Sequence, residues 1–290
     1  MHDFQYITPG TLNEALKLLA KHGHAAQLLA GGTDLIVKMR VRRSRPELVL
    51  DAKRIPELNV LKLDAKGLTI GAAVSCRRIY LDERIAARYP ALIDCTMLVG
   101  GIQIQGRATV GGNLCNAAPS ADTIPALIAL GAVAHLRGPK GKRQLPVEEF
   151  CLAPGKTALR KGEMLIHLRI PKPAKNSGAC FLRFIPRNEM DIAVVNAAAS
   201  VVLDAKGKKF LSARVAIGAA APIPLYVEEA GAVLAGESVS ENMIGEAARI
   251  ASLAVRPITD MRGTIEQRKH LVKVLTARAL RGAVERAKGA

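Results

Sequence analysis

With 290 residues, nearly half of them apolar, the chain is long enough for two or three units sharing a large buried interior, which excludes a disordered polymer and a single mini-domain. Its five cysteines, Cys76, Cys95, Cys115, Cys151 and Cys180, are odd in number and widely spaced, which excludes a disulfide scaffold or a CxxC metal knuckle and suits a reducing, cytoplasmic compartment. The net charge of +17 suits a solvated basic surface as well as one that docks an acidic partner or draws in an anionic cofactor; scattered Lys and Arg and only 3% aromatics argue against nucleic acid.

After Met1-His2-Asp3-Phe4 no basic stretch leads into an apolar run, and no apolar segment nears the ~20 residues of a bilayer span, so neither a leader nor a membrane span is expected. Thr11-Leu12-Asn13-Glu14 has the form of a capping box, and Leu12, Ala15, Leu16 and Leu19 continue at helical spacing to Gly23. Residues 27–30 read as a short buried strand, Gly31-Gly32 as a sharp turn, and Thr33 or Asp34 as the cap of a helix reaching Met39. A strand at 48–51 closes this small module, between Pro46 and Pro56.

Two apolar runs, 58–63 and 68–70, flank Asp64-Ala65-Lys66-Gly67 and predict a hairpin. Helices are expected at 76–85, after Ser75, and at 90–99. Residues 100–105 read as a strand, and 109–116 as a break in the helical pattern at Gly111-Gly112. A helix from Asp122 to Leu130 and strands near 133–137 and 164–170 follow. Pro171-Lys172-Pro173 and Asn176-Ser177-Gly178 mark the main boundary. Beyond it, strands are expected at 192–203 and 210–219 and helices at 227–235, 242–255 and 268–284. The predicted domains are 1–173, with submodules 1–56 and 57–173, and 177–286, an α+β chain overall.

Chemistry concentrates at two glycine turns. In Leu29-Ala30-Gly31-Gly32-Thr33-Asp34-Leu35 and in Thr109-Val110-Gly111-Gly112-Asn113-Leu114, the missing side chains let backbone N–H groups approach an anion closely. Neither string has the spacing of a GxGxxG or Walker A loop. Two such turns suit a diphosphate neutralised from two sides. Asp122, in Ala118-Pro119-Ser120-Ala121-Asp122, can accept from a ribose hydroxyl, cap the helix that follows, or do both. No nucleophile triad or metal-ligand spacing stands out, and His135 and His167 lie in apolar strand-like surroundings.

The AGGTDL string, the TVGGNL string with its PSAD, and Arg187-x-x-Met190-Asp191-Ile192-Ala193 occur in order, and together they resemble the signatures of the FAD-binding subunits of molybdenum hydroxylases, the xanthine dehydrogenase and aerobic carbon monoxide dehydrogenase type. The resemblance runs from Phe4 into the C-terminal helices. It implies an FAD-binding domain in two parts, a small α/β module and a larger α+β module, followed by a C-terminal α+β domain with a small antiparallel sheet and helices. It implies that Leu28, Leu29, Ala30, Gly31, Gly32, Thr33, Asp34 and Leu35 wrap the pyrophosphate, and that Thr109, Gly111, Gly112, Asn113 and Asn116 hold its second side. It further implies that Asp122 binds the ribose and that Leu165 lies near the adenine or flavin. Arg183 falls where relatives can carry a lysine near the cofactor, and Asp191 belongs to the third signature. The stretch Ile185-Pro186-Arg187-Asn188-Glu189 is less basic than in many relatives, and the cysteine-rich insertion of the branch that reduces aromatic thioesters is absent.

The implied activity is that of an oxidoreductase subunit, incomplete alone. It would take electrons from a small two-cluster iron–sulfur subunit served by a large molybdopterin-binding subunit, and pass them to an external acceptor, NAD, a quinone or oxygen. A self-contained FAD-dependent oxidoreductase and a basic nucleic-acid-binding module are the alternatives.

Overall fold

The computed structural model describes residues 2–289. Its first module joins β1 (Gln5–Ile7), α1 (Leu12–His22), β2 (Ala26–Leu29), α2 (Leu35–Arg40) and β3 (Leu48–Asp51). The three strands form a parallel sheet in the order β1-β3-β2, and the central β3 is buried along its whole length. Thr11 caps α1 by accepting the Glu14 amide at 3.2 Å, while the Glu14 carboxylate accepts from the Gly10 amide at 2.9 Å. Leu12, Ala15 and Leu19 form the buried stripe of α1, as their spacing predicts.

The second module contains β4 (Leu61–Asp64), β5 (Gly67–Gly71), α3 (Cys76–Tyr80), α4 (Glu83–Arg88), α5 (Pro90–Thr96), α6 (Ile102–Gln105), α7 (Val110–Asn116) and α8 (Thr123–Ala129). It continues with β6 (Val133–Gly138), β7 (Gly141–Pro146), β8 (Cys151–Ala153), β9 (Lys156–Thr157) and β10 (Met164–Pro171). A five-stranded antiparallel sheet runs β4-β5-β10-β6-β7. The expected β4–β5 hairpin is present, and β10, separated from β6 in the chain by β7, β8 and β9, inserts between the two hairpins.

Four local expectations are corrected. The helix expected at 76–85 divides into α3 and α4, because the Asp82 carboxylate accepts the Arg84 amide at 3.0 Å and starts a new helix. Residues 100–105 form a helical turn after Gly101 instead of a strand. The expected break at 109–116 is helix α7, capped by the Thr109 hydroxyl, which accepts the Gly112 amide at 2.9 Å. Each glycine costs such a helix about 1 kcal/mol relative to alanine. The compensation is contact: a Cβ on Gly111 would lie 2.6 Å from the Ala72 backbone. Finally, Ser177-Gly178, expected as linker, begins strand β11 (Ser177–Phe184); Gly178 fits there because a Cβ would stand 2.1 Å from the Ala283 carbonyl oxygen.

The last part adds β12 (Val195–Leu203), β13 (Phe210–Gly218), β14 (Leu225–Tyr226), α9 (Glu228–Ala232), α10 (Glu241–Ala254) and α11 (Ile265–Lys288). The antiparallel sheet β11-β12-β13-β14 is buried on both faces. Alternation decides the partners. Phe181, Ala198 and Ala216 join the core of the first two modules, whereas Cys180, Ala197, Ala199, Val215 and Ile217 join a second core with α10 and α11. Polar bonds lock the junction: Arg286 holds both Asp94 oxygens at 2.6 and 3.0 Å, Asp94 also accepts the Phe181 amide at 3.1 Å, and Ser200 donates to the Ala129 carbonyl at 2.6 Å. The chain is thus α+β, with a parallel α/β module at one end and antiparallel sheets elsewhere. Among the described residues no helix is long and apolar enough to cross a membrane.

Candidate cofactor groove

Strand β2 leaves Leu28 half-buried against the main core and sends Leu29 to a small core with Met39 and Val49, then turns sharply at Gly31-Gly32 before α2. Gly32 has φ +80°, a left-handed conformation that glycine adopts without strain. Gly31 is required for a different reason: its Cβ would lie 2.2 Å from the Arg107 carbonyl oxygen. Arg107 in turn donates through Nε to the Gly31 carbonyl at 3.2 Å, so the segment leading into the second glycine turn is pressed against the first.

The two turns therefore converge, although about 80 residues separate them. Between them lies a groove of about 490 Å³, within the range of small-molecule sites. Its lining includes Leu28, Ala30, Gly31, Gly32, Thr33, Asp34 and Leu35 from the first turn, Thr109, Gly111, Gly112, Asn113 and Asn116 from the second, and Leu165 from β10. Among the described residues, no acceptor in the chain pairs with the amides of Gly32, Thr33, Asp34 or Leu35. The second turn is more occupied. Thr109 takes the Gly112 amide, and the Asn113 carboxamide oxygen accepts from the Thr123 hydroxyl at 2.6 Å, leaving the Asn113 NH2 as its spare donor.

Four residues expected at the site stand elsewhere. Leu29 is core. Asp122 and Arg183 are not in the groove lining; they form a largely buried ion pair at 2.7 Å, and Asn196 donates to Asp122 at 3.4 Å. Burial pushes the Asp122 carboxyl up to about 6 against the opposing pull of Arg183 and Asn196. The ribose reading of Asp122 and the placing of Arg183 near the cofactor thus meet groups already committed to each other. Asp191 lies between Arg187 at 3.5 Å and Arg262 at 3.6 Å, also outside the groove lining.

Other lining residues were not singled out from sequence: Lys38, Arg43, Ser44, Ala72, Val99 and Met164 among them. For Lys38 a signal existed, since it follows Asp34 by four residues on α2 and shares its face. Arg43 and Ser44 carried none. They reach the groove because Arg42 adopts φ 59° and the amides of Arg43 and Ser44 both return to the Lys38 carbonyl, at 2.8 and 3.2 Å.

Comparison with known proteins settles the family. The family model described as the FAD binding domain in molybdopterin dehydrogenase matches residues 2–173, and the CO dehydrogenase flavoprotein C-terminal domain matches 181–283. The chain belongs to this molybdopterin dehydrogenase flavoprotein family. It is 34% identical to the carbon monoxide dehydrogenase medium chain of Afipia carboxidovorans over 98% of both chains. It is 31% identical to the xanthine dehydrogenase FAD-binding subunit of Escherichia coli, over 100% of this chain and 99% of the relative. Among solved structures, a chain of reconstituted CO dehydrogenase from Oligotropha carboxidovorans superposes with TM-score 0.94 at 31% identity, covering 98% of this chain and 99% of that one. A chain of quinoline 2-oxidoreductase from Pseudomonas putida superposes with TM-score 0.91 at 28% identity, covering 99% and 98%.

FAD is the cofactor of the molybdopterin dehydrogenase flavoprotein family, and the groove's chemistry fits it. Unpaired amides and glycine-tight walls suit a diphosphate, and the apolar Leu28, Leu58, Val99, Leu159, Met164 and Leu165 suit flat rings. As a member of this family the chain is an oxidoreductase component of a multi-subunit enzyme.

Proposed function

We propose that this chain holds FAD in the groove between its two glycine turns and relays electrons within a molybdenum-dependent hydroxylase. In that assembly a large molybdopterin-binding subunit oxidises the substrate, a small two-cluster iron–sulfur subunit carries the electrons to this chain, and NAD, a quinone or oxygen takes them away. The observation that carries the reading is the convergence of two glycine turns on one groove, inside a chain whose family is defined by FAD binding.

FAD supplies the one- and two-electron chemistry when bound, so the protein's task is position, electrostatics and shielding. The amides of Gly32, Thr33, Asp34 and Leu35, which have no acceptor within the chain among the described residues, would hold the diphosphate from one wall, and the Asn113 NH2 would donate from the other. Leu165 and Met164, buried on β10, belong to the apolar wall of the groove that would lie against the rings. Arg183 and Asp122 belong to this reading as a buried pair that fixes β11 against α8 beside the site. Asp191, pinned by Arg187 and Arg262, orders the loop of the third signature.

The domain division proposed with this function is 1–173, with submodules 1–56 and 57–173, and 177–286. Five free cysteines, four of them buried, favour a reducing cytoplasm.

The test is direct. The purified chain should show a flavin absorption spectrum, acid should release FAD, and co-expression with iron–sulfur and molybdopterin subunits should yield a complex in which substrate reduces the flavin. A colourless chain that cannot be reconstituted with FAD ends the reading. An isolated chain that turns over substrate without partners replaces it with a self-contained oxidoreductase.

A further inference from the structure

Among the described residues, the groove's formal charges come from Lys38 and Arg43, which are cationic, and Asp34, which is acidic. Among the described residues neither cation pairs with a carboxylate. The Lys38 ammonium instead reaches over to α7 and donates to the carboxamide oxygen of Asn116, a neutral acceptor 78 positions away. Arg43 is brought to the same rim by the Lys38 carbonyl, which accepts the Arg43 and Ser44 amides after the left-handed turn at Arg42. One residue thus bridges the two walls with its side chain and seats a second cation with its backbone.

We propose that Lys38 and Arg43 form a cationic clasp that closes over the diphosphate of the dinucleotide. The inference rests on the FAD reading above and adds the groups that retain it. A diphosphate brings two negative charges near neutral pH, and the unpaired amides of the first turn supply only partial positive charge. Lys38 contributes one compensating full charge, and its flexible stem lets the ammonium shift from Asn116 onto a phosphate oxygen without moving either helix. Arg43 supplies a second from the same side, with a planar fork able to take two oxygens at once. Both side chains are exposed, so the clasp works through screened charge and is sensitive to salt.

The experiment uses the full chain, stripped of flavin and titrated with FAD at low and at high ionic strength. Lys38→Met is expected to weaken FAD binding at low salt by on the order of tenfold, the worth of one charge-assisted hydrogen bond at a partly open site. At high salt the difference should shrink, and Lys38→Arg should restore most of the affinity. Arg43→Met should act in the same direction. Because both positions are exposed, the melting temperature of the flavin-free variants should match that of the parent. Unchanged affinity in Lys38→Met, or a loss of equal size at low and high salt, overturns the clasp. Failure of the parent chain to bind FAD at all strikes the proposed function instead.

Discussion

Arg183 on β11 and Asp122 at the start of α8 meet at 2.7 Å with side chains only 5% and 12% exposed, so a charge pair joins the C-terminal sheet to the helix that follows the second glycine turn. Arg183 Nε and Asn196 Oδ1 beside it have no partner within the chain among the described residues. Such a site is costly to desolvate and costlier to half-dismantle.

Asp122 gives this pair a pH signature. Its carboxyl is raised by burial from 3.8 to about 6, so between these values the folded chain keeps a proton that the unfolded chain has lost. Its contribution to stability therefore falls as pH rises through that window. Asp122→Asn is expected to flatten this part of the stability profile. Arg183→Met, which leaves a buried carboxylate without its cation, is expected to steepen it and to cost about 3–5 kcal/mol at neutral pH. Denaturant unfolding across the window measures both, and parallel profiles for parent and Asp122→Asn would contradict the assignment.

The glycines make separable demands. Gly31→Ala places a methyl 2.2 Å from the Arg107 carbonyl oxygen, and Gly111→Ala places one 2.6 Å from the Ala72 backbone. Each is expected to destabilise by about 2–3 kcal/mol through backbone displacement and to reduce flavin occupancy. Gly106→Ala is the control: nothing lies within 4 Å of its Cβ and its φ is −67°. Its stability should be unchanged or up to about 1 kcal/mol higher. Thermal melts with flavin content per chain provide the comparison.

Asp94 on α5 ties the second module to the C-terminal part, accepting from Arg286 and from the Phe181 amide. Asp94→Ala is expected to cost about 2 kcal/mol, allowing for partial solvent screening of Arg286. Asp94→Asn, which keeps an acceptor for the Phe181 amide, should cost less. Equal losses in urea unfolding would show that the charge, rather than the amide contact, matters.

His135 and His167 are register partners on β6 and β10 with rings stacked at 4.2 Å. Burial, then His135, then Arg169 lower His167 from 6.5 to about 4. Here the unfolded chain binds the proton first, so acidification through this window removes stability, the opposite sense to Asp122. His167→Phe should lessen acid lability while keeping a ring in the stack. An NMR titration that finds His167 protonating near its ordinary value would refute the prediction.

Much of this architecture was legible as local chemistry. The capping box at Thr11, the β4–β5 hairpin and the long strands β12 and β13 follow from short-range patterns, and the three signatures carried the family because they are chemical strings whose meaning survives without coordinates. What reads poorly is anything set by a distant contact. Gly111-Gly112 looks like a helix breaker until Ala72 is seen against it, and Ser177-Gly178 looks like linker until α11 is packed on it. Lys38 is an ordinary helical lysine until its turn and that of Asn116 face each other. The sequence alone determined that two side-chain-poor turns and an apolar α+β frame exist. The tertiary structure decided that the turns converge, which carboxylates are spent on ion pairs, and which cations reach the groove. Those outcomes depend on through-space proximity between residues tens of positions apart, and no local pattern encodes that.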